Sequence, residues 1–219
     1  MGDEDEAHAM SRAGAVPEPG AVAAGLAAEL PGLRLWTLAV AAGPGPSPAG
    51  LRERLRYLSD RFTGARALTL RTEPIAQAYR VCFRQVGLDP DHRRPSLEQA
   101  AVDRLAHGAF RSRSLLDDAL LVALVETGVP VWALDADRLT GALELRLARA
   151  EDPYVLAGRI AVADALRPVA ELFGPPAAEL VPGRATRRIR LFAVAVAGVP
   201  AVHAWEALEG AAASLAEAV

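Results

Sequence analysis

Residues 71–148 constrain the fold most, because helix, turn and strand signals follow one another there in a close order. Apolar side chains recur at helical spacing over residues 74–86 and predict a first helix. Ser96 is placed to cap a second helix, and Gln99, three residues on, completes a capping box. A third helix is predicted over residues 116–125. Because strand-like segments come directly after these helices, the unit predicts helices packed on a sheet.

The rest of the chain adds further elements of both kinds. Further helices are predicted over residues 21–30, 51–62 and 205–219, strands over 33–41, 130–134, 142–148 and 189–196, and a helix within 152–172. We therefore expect an α/β or α+β domain in which helices pack around a mixed sheet.

Alternation in the strand over 142–148 indicates which side chains face the core. Leu143, Leu145 and Leu147 are predicted to face inward, and Glu144 and Arg146 outward.

The domain organisation follows from composition along the chain. Residues 1–20 combine acidic side chains, glycine and proline without periodicity, so we predict a disordered acidic tail there. Residues 21–219 form a single predicted domain, since their length suits one core.

All 24 basic residues are arginine, which excludes Schiff-base chemistry and any other site that needs a lysine amine. Outside residues 1–20 the acidic and basic side chains nearly balance. Because general affinity for nucleic-acid backbones needs a marked basic excess, any contact with RNA is expected to be local, and no DNA partner is expected.

No metal and no cofactor are expected. The single cysteine, Cys82, lies on the apolar face of its predicted helix, where a buried inert thiol is expected. The four histidines lack ligand spacing, and no glycine-rich phosphate loop follows a strand. No signal pattern or membrane-length apolar run is present, so we expect a cytoplasmic protein without a membrane partner.

The most specific local motif is R-R-P-S-L-E, over residues 93–98. Helix capping accounts for its Pro, Ser and Glu. It leaves the side chain of Arg94 unexplained, and an arginine beside a helix N-terminus would help to form a site for a carboxylate or a phosphate.

Taken together, these residues resemble the tRNA-binding and editing domain of the phenylalanyl-tRNA synthetase β subunit, especially its small free-standing relatives. The resemblance rests on Tyr79-Arg80, the turn Gly87-Leu88-Asp89-Pro90, the motif at Arg94 and a second block. In that block, six residues are of the family's types: Asp118, Glu126, Gly128, Pro130, Ala133 and Asp135. The resemblance as a whole covers roughly residues 26–202.

The sequence departs from the family where the editing pocket has polar residues. Leu120 and Leu121 stand where the family has a Thr-Asn pair, and Trp132 stands where it has a histidine. Ester hydrolysis needs a positioned water and groups that stabilise the oxyanion, and these apolar residues supply neither. The residues are therefore either ordinary core, or the lining of a pocket reshaped for an apolar ligand or for a water activated by the substrate's own hydroxyl.

The resemblance implies a free-standing domain that binds the aminoacylated end of a tRNA and hydrolyses mischarged aminoacyl-tRNA in trans, making it an aminoacyl-tRNA deacylase. By the same resemblance Arg80, Arg94 and Ser96 would bind the carboxyl or phosphate side, and Leu121 and Trp132 would line the pocket. Glu179 would be the acid/base. The implied partners are tRNA or aminoacyl-tRNA, and a synthetase.

Two alternatives remain open. One is a non-catalytic module that binds an amino acid, aminoacyl-tRNA or a protein. The other is a biosynthetic protein that takes aminoacyl-tRNA as acyl donor and needs an amine acceptor.

Overall fold

An antiparallel sheet lies at the centre of the computed structural model, which describes residues 16–217. Its strands are β1 (Glu18–Pro19), β3 (Arg34–Val40), β4 (Val131–Asp135) and β8 (Ile189–Ala195), in the order β1-β3-β8-β4. The predictions of strands at β3, β4 and β8 are confirmed. β1 falls within the predicted tail, whose first 15 residues lie outside the described part of the chain.

A second four-stranded sheet contains β2 (Ala21–Val22), β5 (Glu144–Leu147), β6 (Ile160–Ala163) and β7 (Pro168–Glu171), in the order β2-β5-β6-β7. β2 runs parallel to β5, and the other pairs are antiparallel. The predicted helix within residues 152–172 is wrong, because β6 and β7 form a hairpin there. The fold is thus α+β, with two sheets in place of the single mixed sheet expected.

Helices cover the sheets and account for much of the rest of the described chain. They are α1 (Ala24–Glu29), α2 (Ala49–Arg61), α3 (Gly64–Thr69), α4 (Pro74–Gln85), α5 (Ser96–His107), α6 (Leu115–Thr127) and α7 (Ala201–Ala216), with short 3₁₀ turns at Leu70–Thr72, Ala136–Arg138 and Ala178–Leu180. No helix among residues 16–217 is both long enough and apolar enough to cross a membrane.

The predicted capping box at the start of α5 is wrong. Ser96 is the first helical residue, Pro95 occupies the cap position, and no side chain caps the helix. The side chain of Gln99 donates to Asp103 instead, at 2.9 Å. A side-chain cap is found at α6, where Ser114 accepts a hydrogen bond from the backbone N–H of Asp117.

Small side chains bring α7 close to the first sheet. Ala204, Ala207 and Ala211 on α7 are fully buried. Trp36 of β3 meets Trp205 of α7 edge to face, with ring centroids 5.3 Å apart. The same contiguous apolar core continues through both sheets, so they fold around common packing contacts.

The predicted alternation of inward-facing and outward-facing side chains over residues 142–148 is only partly confirmed in β5. Leu143 and Leu145 are buried as expected, but Leu147 is 49 % exposed and Arg146 is buried. Arg146 is buried because its guanidinium pairs with Asp152, which satisfies the charge away from water.

Candidate functional site

Arg80 lies in an ion-pair cluster in which Arg80 and Glu98 are buried and Arg71 and Asp91 are exposed. Arg80 is 5 % exposed. Its Nη1 donates to both carboxylate oxygens of Glu98, at 3.1 and 2.9 Å, and its Nη2 donates to Asp91 at 2.8 Å. Arg71 contacts the same two carboxylates. Since the donors of Arg80 are directed at its own chain, the side chain holds the start of α5 against α4.

The electrostatics of this cluster agree with its geometry. The hydrogen bond from Arg80 lowers the pKa of Asp91 below its ordinary value. The hydrogen bond to Asp91 correspondingly raises the pKa of Arg80. Both groups are therefore charged at neutral pH and stabilise each other.

Arg94 and Ser96 lie beside this cluster, but they line different cavities. Arg94 is exposed and lines a groove of about 310 Å³ together with Leu68, Leu105 and Glu98. Ser96 lines a cavity of only about 10 Å³. Because one water needs roughly that much room, no ligand fits beside Ser96 in this conformation.

Phe173 fills the space next to Ser96. Its ring stacks on Phe83 with centroids 4.8 Å apart and meets the edge of Tyr79 at 5.8 Å. The backbone φ of Phe173 is 59°, a conformation that bulky side chains rarely adopt. The hydroxyl of Tyr79 donates to the carbonyl oxygen of Val194 at 2.8 Å, which ties this aromatic group to the first sheet.

Trp132 packs within the first sheet. It lies opposite Phe192 in the β4–β8 register, and the two rings stack with centroids 5.4 Å apart. The side chain is half-buried and belongs to the margin of the main core.

Glu179 lies on the surface, in the 3₁₀ turn before β8. Its side chain is 34 % exposed and accepts a hydrogen bond from Arg167 at 3.2 Å. A hydrogen bond with the hydroxyl of Tyr154 lowers the pKa of Glu179. Tyr154 has a left-handed backbone, with φ of 69°. Glu179 is therefore a carboxylate at neutral pH, and it suits a base better than an acid.

Leu121 lines a cleft at the junction of α5 and α6, which we call the Leu121 cleft. It has a volume of about 210 Å³. Leu121 and Phe110 contribute its apolar wall, and four basic side chains contribute its rim: Arg104, His107, Arg111 and Arg113. In this cleft the predicted site residue Leu121 lies beside arginine side chains that form no ion pair within residues 16–217.

Local hydrogen bonds fix the loop between the two helices. Gly108 ends α5 with φ of 78°, a value that suits glycine. The N–H of Phe110 donates to the hydroxyl of Ser59 on α2, at 2.8 Å. Asp118 is fully buried and accepts from the hydroxyl of Ser112 at 2.6 Å and from the N–H of Arg113 at 2.9 Å. The backbone carrying the arginines is thus held in place.

The arginines of the cleft have no carboxylate partner among the residues described. Arg111 and Arg113 are exposed at the mouth. Arg104 donates from Nη2 to the carbonyl oxygen of Ser59 at 2.9 Å, while its buried Nε has no partner. A backbone carbonyl does not neutralise the guanidinium of Arg104, and the exposed guanidinium groups of Arg111 and Arg113 are free to donate hydrogen bonds to an anion at the mouth.

The three carboxylates that line the cleft accept hydrogen bonds from neutral groups of their own chain. Asp103 accepts from Gln99, and Asp117 accepts from the hydroxyl of Ser114 at 2.7 Å. Asp118 accepts the two bonds described above. They form no ion pair with the arginines, but they keep their negative charges, so the lining carries three carboxylates and three guanidinium groups.

The six predicted site residues are not gathered into one cavity. Arg94, Ser96 and Leu121 line three separate cavities, Arg80 is held in the ion-pair cluster, and Trp132 and Glu179 lie elsewhere. Sequence reasoning missed Arg104, Arg111 and Arg113. The sequence signal for Arg111 and Arg113 is the run R-S-R-S, in which the second serine caps a helix whose first turn is acidic.

Metal and thiol chemistry have little support in this part of the chain. Residues 16–217 contain no group of three or more histidine, cysteine or acidic side chains that could hold a metal ion. Cys82 is buried as predicted, and burial raises the pKa of its thiol to about 11. At neutral pH the thiol is protonated and therefore weakly reactive.

The sequence matches no protein-family model and no curated protein. The class defined by the structure is an α+β fold with two four-stranded sheets.

Proposed function

We propose that the protein binds the aminoacylated 3′ end of a tRNA, as a non-catalytic module related to the editing domains that its sequence resembles. Its main support is the Leu121 cleft, where an apolar wall adjoins three guanidinium groups without carboxylate partners in the described chain. An aminoacyl-tRNA end offers the complementary groups, since an apolar amino-acid side chain and backbone phosphates lie close together.

Each part of the cleft has a role in this proposal. The amino-acid side chain packs against Leu121 and Phe110, and phosphate oxygens accept hydrogen bonds from Arg111 and Arg113. The volume of about 210 Å³ is smaller than that of most ligand pockets, which measure about 300–1,000 Å³. It therefore suits the aminoacyl group alone and leaves the nucleotides on the surface outside.

The near-neutral charge of the body favours a small number of phosphate contacts. Affinity in this proposal comes from the end of the tRNA and not from a broad basic surface. Binding should accordingly depend on the attached amino acid.

The rival proposal is that Glu179 catalyses hydrolysis of the aminoacyl ester. Glu179 is ionised at neutral pH and is a candidate base, but its lowered pKa makes it a weaker base than an ordinary glutamate. Binding is preferred because Glu179 is not among the residues that line the Leu121 cleft, and because the carboxylates that do line it accept hydrogen bonds from the chain.

Fluorescence anisotropy with labelled tRNA tests the binding proposal. The tRNA carries leucine or phenylalanine through a non-hydrolysable amide link, and uncharged tRNA is the reference. Burial of one apolar side chain should make the charged tRNA bind about tenfold more tightly. Leu121→Asn should abolish this preference, whereas the control Leu105→Asn, at an exposed position outside the cleft, should keep it. Equal affinity for both tRNAs, or no binding, contradicts the proposal.

A deacylation assay separates binding from hydrolysis. With a panel of ester-linked, mischarged tRNAs, release of the amino acid should proceed at the spontaneous rate. Faster release that disappears in Glu179→Ala would establish the deacylase instead.

A further inference from the structure

A second cavity lies away from the Leu121 cleft, between α1, the end of α4 and the second sheet. Its volume is about 500 Å³, within the range of about 300–1,000 Å³ that is common for small-molecule sites.

The floor of this cavity is apolar and well packed. Leu26, Leu88 and Leu172 line it and are each buried. Leu147 stands at the edge, which explains why this residue of β5 is exposed although its neighbours Leu143 and Leu145 are not. Such a surface favours a ligand with an apolar body.

The lining of the cavity includes a positive charge. Glu171 accepts hydrogen bonds from Arg93 and from Arg159, each at 3.2 Å. Two guanidinium groups share one carboxylate, which leaves one positive charge uncompensated. Arg159 lines the cavity and is 38 % exposed, so it can also reach a bound carboxylate.

The lining also includes a negative charge. Glu29, at the end of α1, lines the same cavity and is exposed. It forms no hydrogen bond or ion pair with another residue in the range 16–217. A free carboxylate beside an apolar floor is suited to an ammonium group.

We propose that this cavity binds a small zwitterion with an apolar body, namely an apolar amino acid or dipeptide. The ammonium group pairs with Glu29, the carboxylate pairs with Arg159, and the side chain covers the leucines of the floor. The site is separate from the Leu121 cleft and does not depend on the function proposed for it.

Calorimetric titration of the full chain with matched ligands tests this assignment. Phenylalanine and the dipeptide Leu-Leu carry both charges, phenethylamine carries only the amine, and 3-phenylpropionate carries only the acid. At least one zwitterion should bind more tightly than both single-charge analogues, and the better of the two zwitterions identifies the amino acid or the dipeptide as ligand. Equal affinity of zwitterion and analogues, or no binding by any of the four, overturns the proposal.

A variant at Glu29 gives an independent readout. Glu29→Gln should weaken the zwitterion about fivefold, as expected for loss of one exposed charge pair, and leave 3-phenylpropionate unchanged. Glu53→Gln, on the exposed face of α2, is the matched control and should change neither. An equal loss for both ligands would contradict pairing of the amine with Glu29.

A second pair of variants tests the location. Leu147→Trp places a larger side chain at the edge of the cavity and should abolish zwitterion binding, whereas Leu166→Trp, also exposed but outside the lining, should not. Retained binding in Leu147→Trp would place the ligand elsewhere.

Discussion

The guanidinium of Arg146 forms a bidentate ion pair with the carboxylate of Asp152, at 2.5 and 3.2 Å, although the two side chains are only 9 % and 5 % exposed. The N–H of Arg149 also donates to Asp152, at 2.8 Å. This relationship joins β5 to the loop before β6. It explains how a charged residue occupies a buried position of the strand.

Asp152→Asn is therefore expected to lower the free energy of unfolding by about 2 kcal/mol, since it leaves the buried Arg146 with only the contact to the more exposed Glu144, at 3.3 Å, as a counter-charge. Urea denaturation at neutral pH measures the change. Glu151→Gln removes an exposed charge from the same loop and should alter stability by less than about 0.5 kcal/mol. A small effect in both variants would mean that the pair contributes little.

The same pair predicts the direction of a pH dependence. The hydrogen bond from Arg146 lowers the pKa of Asp152, so its contribution is present above the unfolded pKa of about 3.9 and is lost as pH falls through the folded value. The difference in unfolding free energy between wild type and Asp152→Asn should shrink below about pH 4. Denaturation curves at several pH values test this, and a constant difference would contradict it.

Arg80 is predicted to act in stability and not in ligand binding. Arg80→Ala leaves Glu98 buried with a weaker partner and should cost about 3 kcal/mol of unfolding free energy. Arg94→Ala, at an exposed position, should change it by less than about 0.5 kcal/mol. Thermal or urea unfolding compares the two, and an unchanged Arg80→Ala protein would return this side chain to the list of ligand-binding candidates.

Arg111 and Arg113 are expected to contact phosphate in the tRNA complex. Each contact to single-stranded RNA should contribute about 0.7 to the slope of log affinity against log salt concentration. Arg111→Ala and Arg113→Ala should each lower that slope by about this amount. Arg84→Ala, on the exposed side of α4, is the matched control. An unchanged slope in both cleft variants would exclude the cleft as the phosphate site.

Phe173 offers a test of backbone strain beside Ser96. Phe173→Ala should destabilise the fold by about 3 kcal/mol, because it removes a packed aromatic ring. Phe173→Gly removes the same ring but tolerates φ of 59°, so it should be about 1 kcal/mol more stable than the alanine variant. Chemical denaturation of both variants measures the difference. A less stable glycine variant would show that the conformation carries no strain.

Much of the secondary structure was predictable because its signals are local. Pro74 at the start of α4 and Gly108 and Gly128 at the ends of α5 and α6 act through their own backbone preferences. The predictions failed where the local sequence suits a helix and a strand equally. Residues 152–172 show no clear period, and their pairing as β6 and β7 depends on contacts with β5.

The candidate site was less predictable, because its members are distant in sequence. Leu121 is predicted from the sequence as a site residue. The loop that carries Arg111 and Arg113 is held by a hydrogen bond to Ser59, and no local sequence pattern indicates that contact. The sequence suits Trp132 to a pocket or to the core, and the structure shows it half-buried and stacked on Phe192.

The boundaries of most helices and strands follow from the sequence, because they depend on backbone geometry and on side chains a few residues apart. Which charges are paired depends on the folded chain. From the sequence, Arg80 suits either ligand binding or an ion pair within the fold, and the carboxylate of Glu98, 2.9 Å away, favours the ion pair. Arg104 is a candidate for ligand binding because it has no such carboxylate partner in the described chain. Pairing depends on distance in space, and distance in space follows from the packing of the whole core.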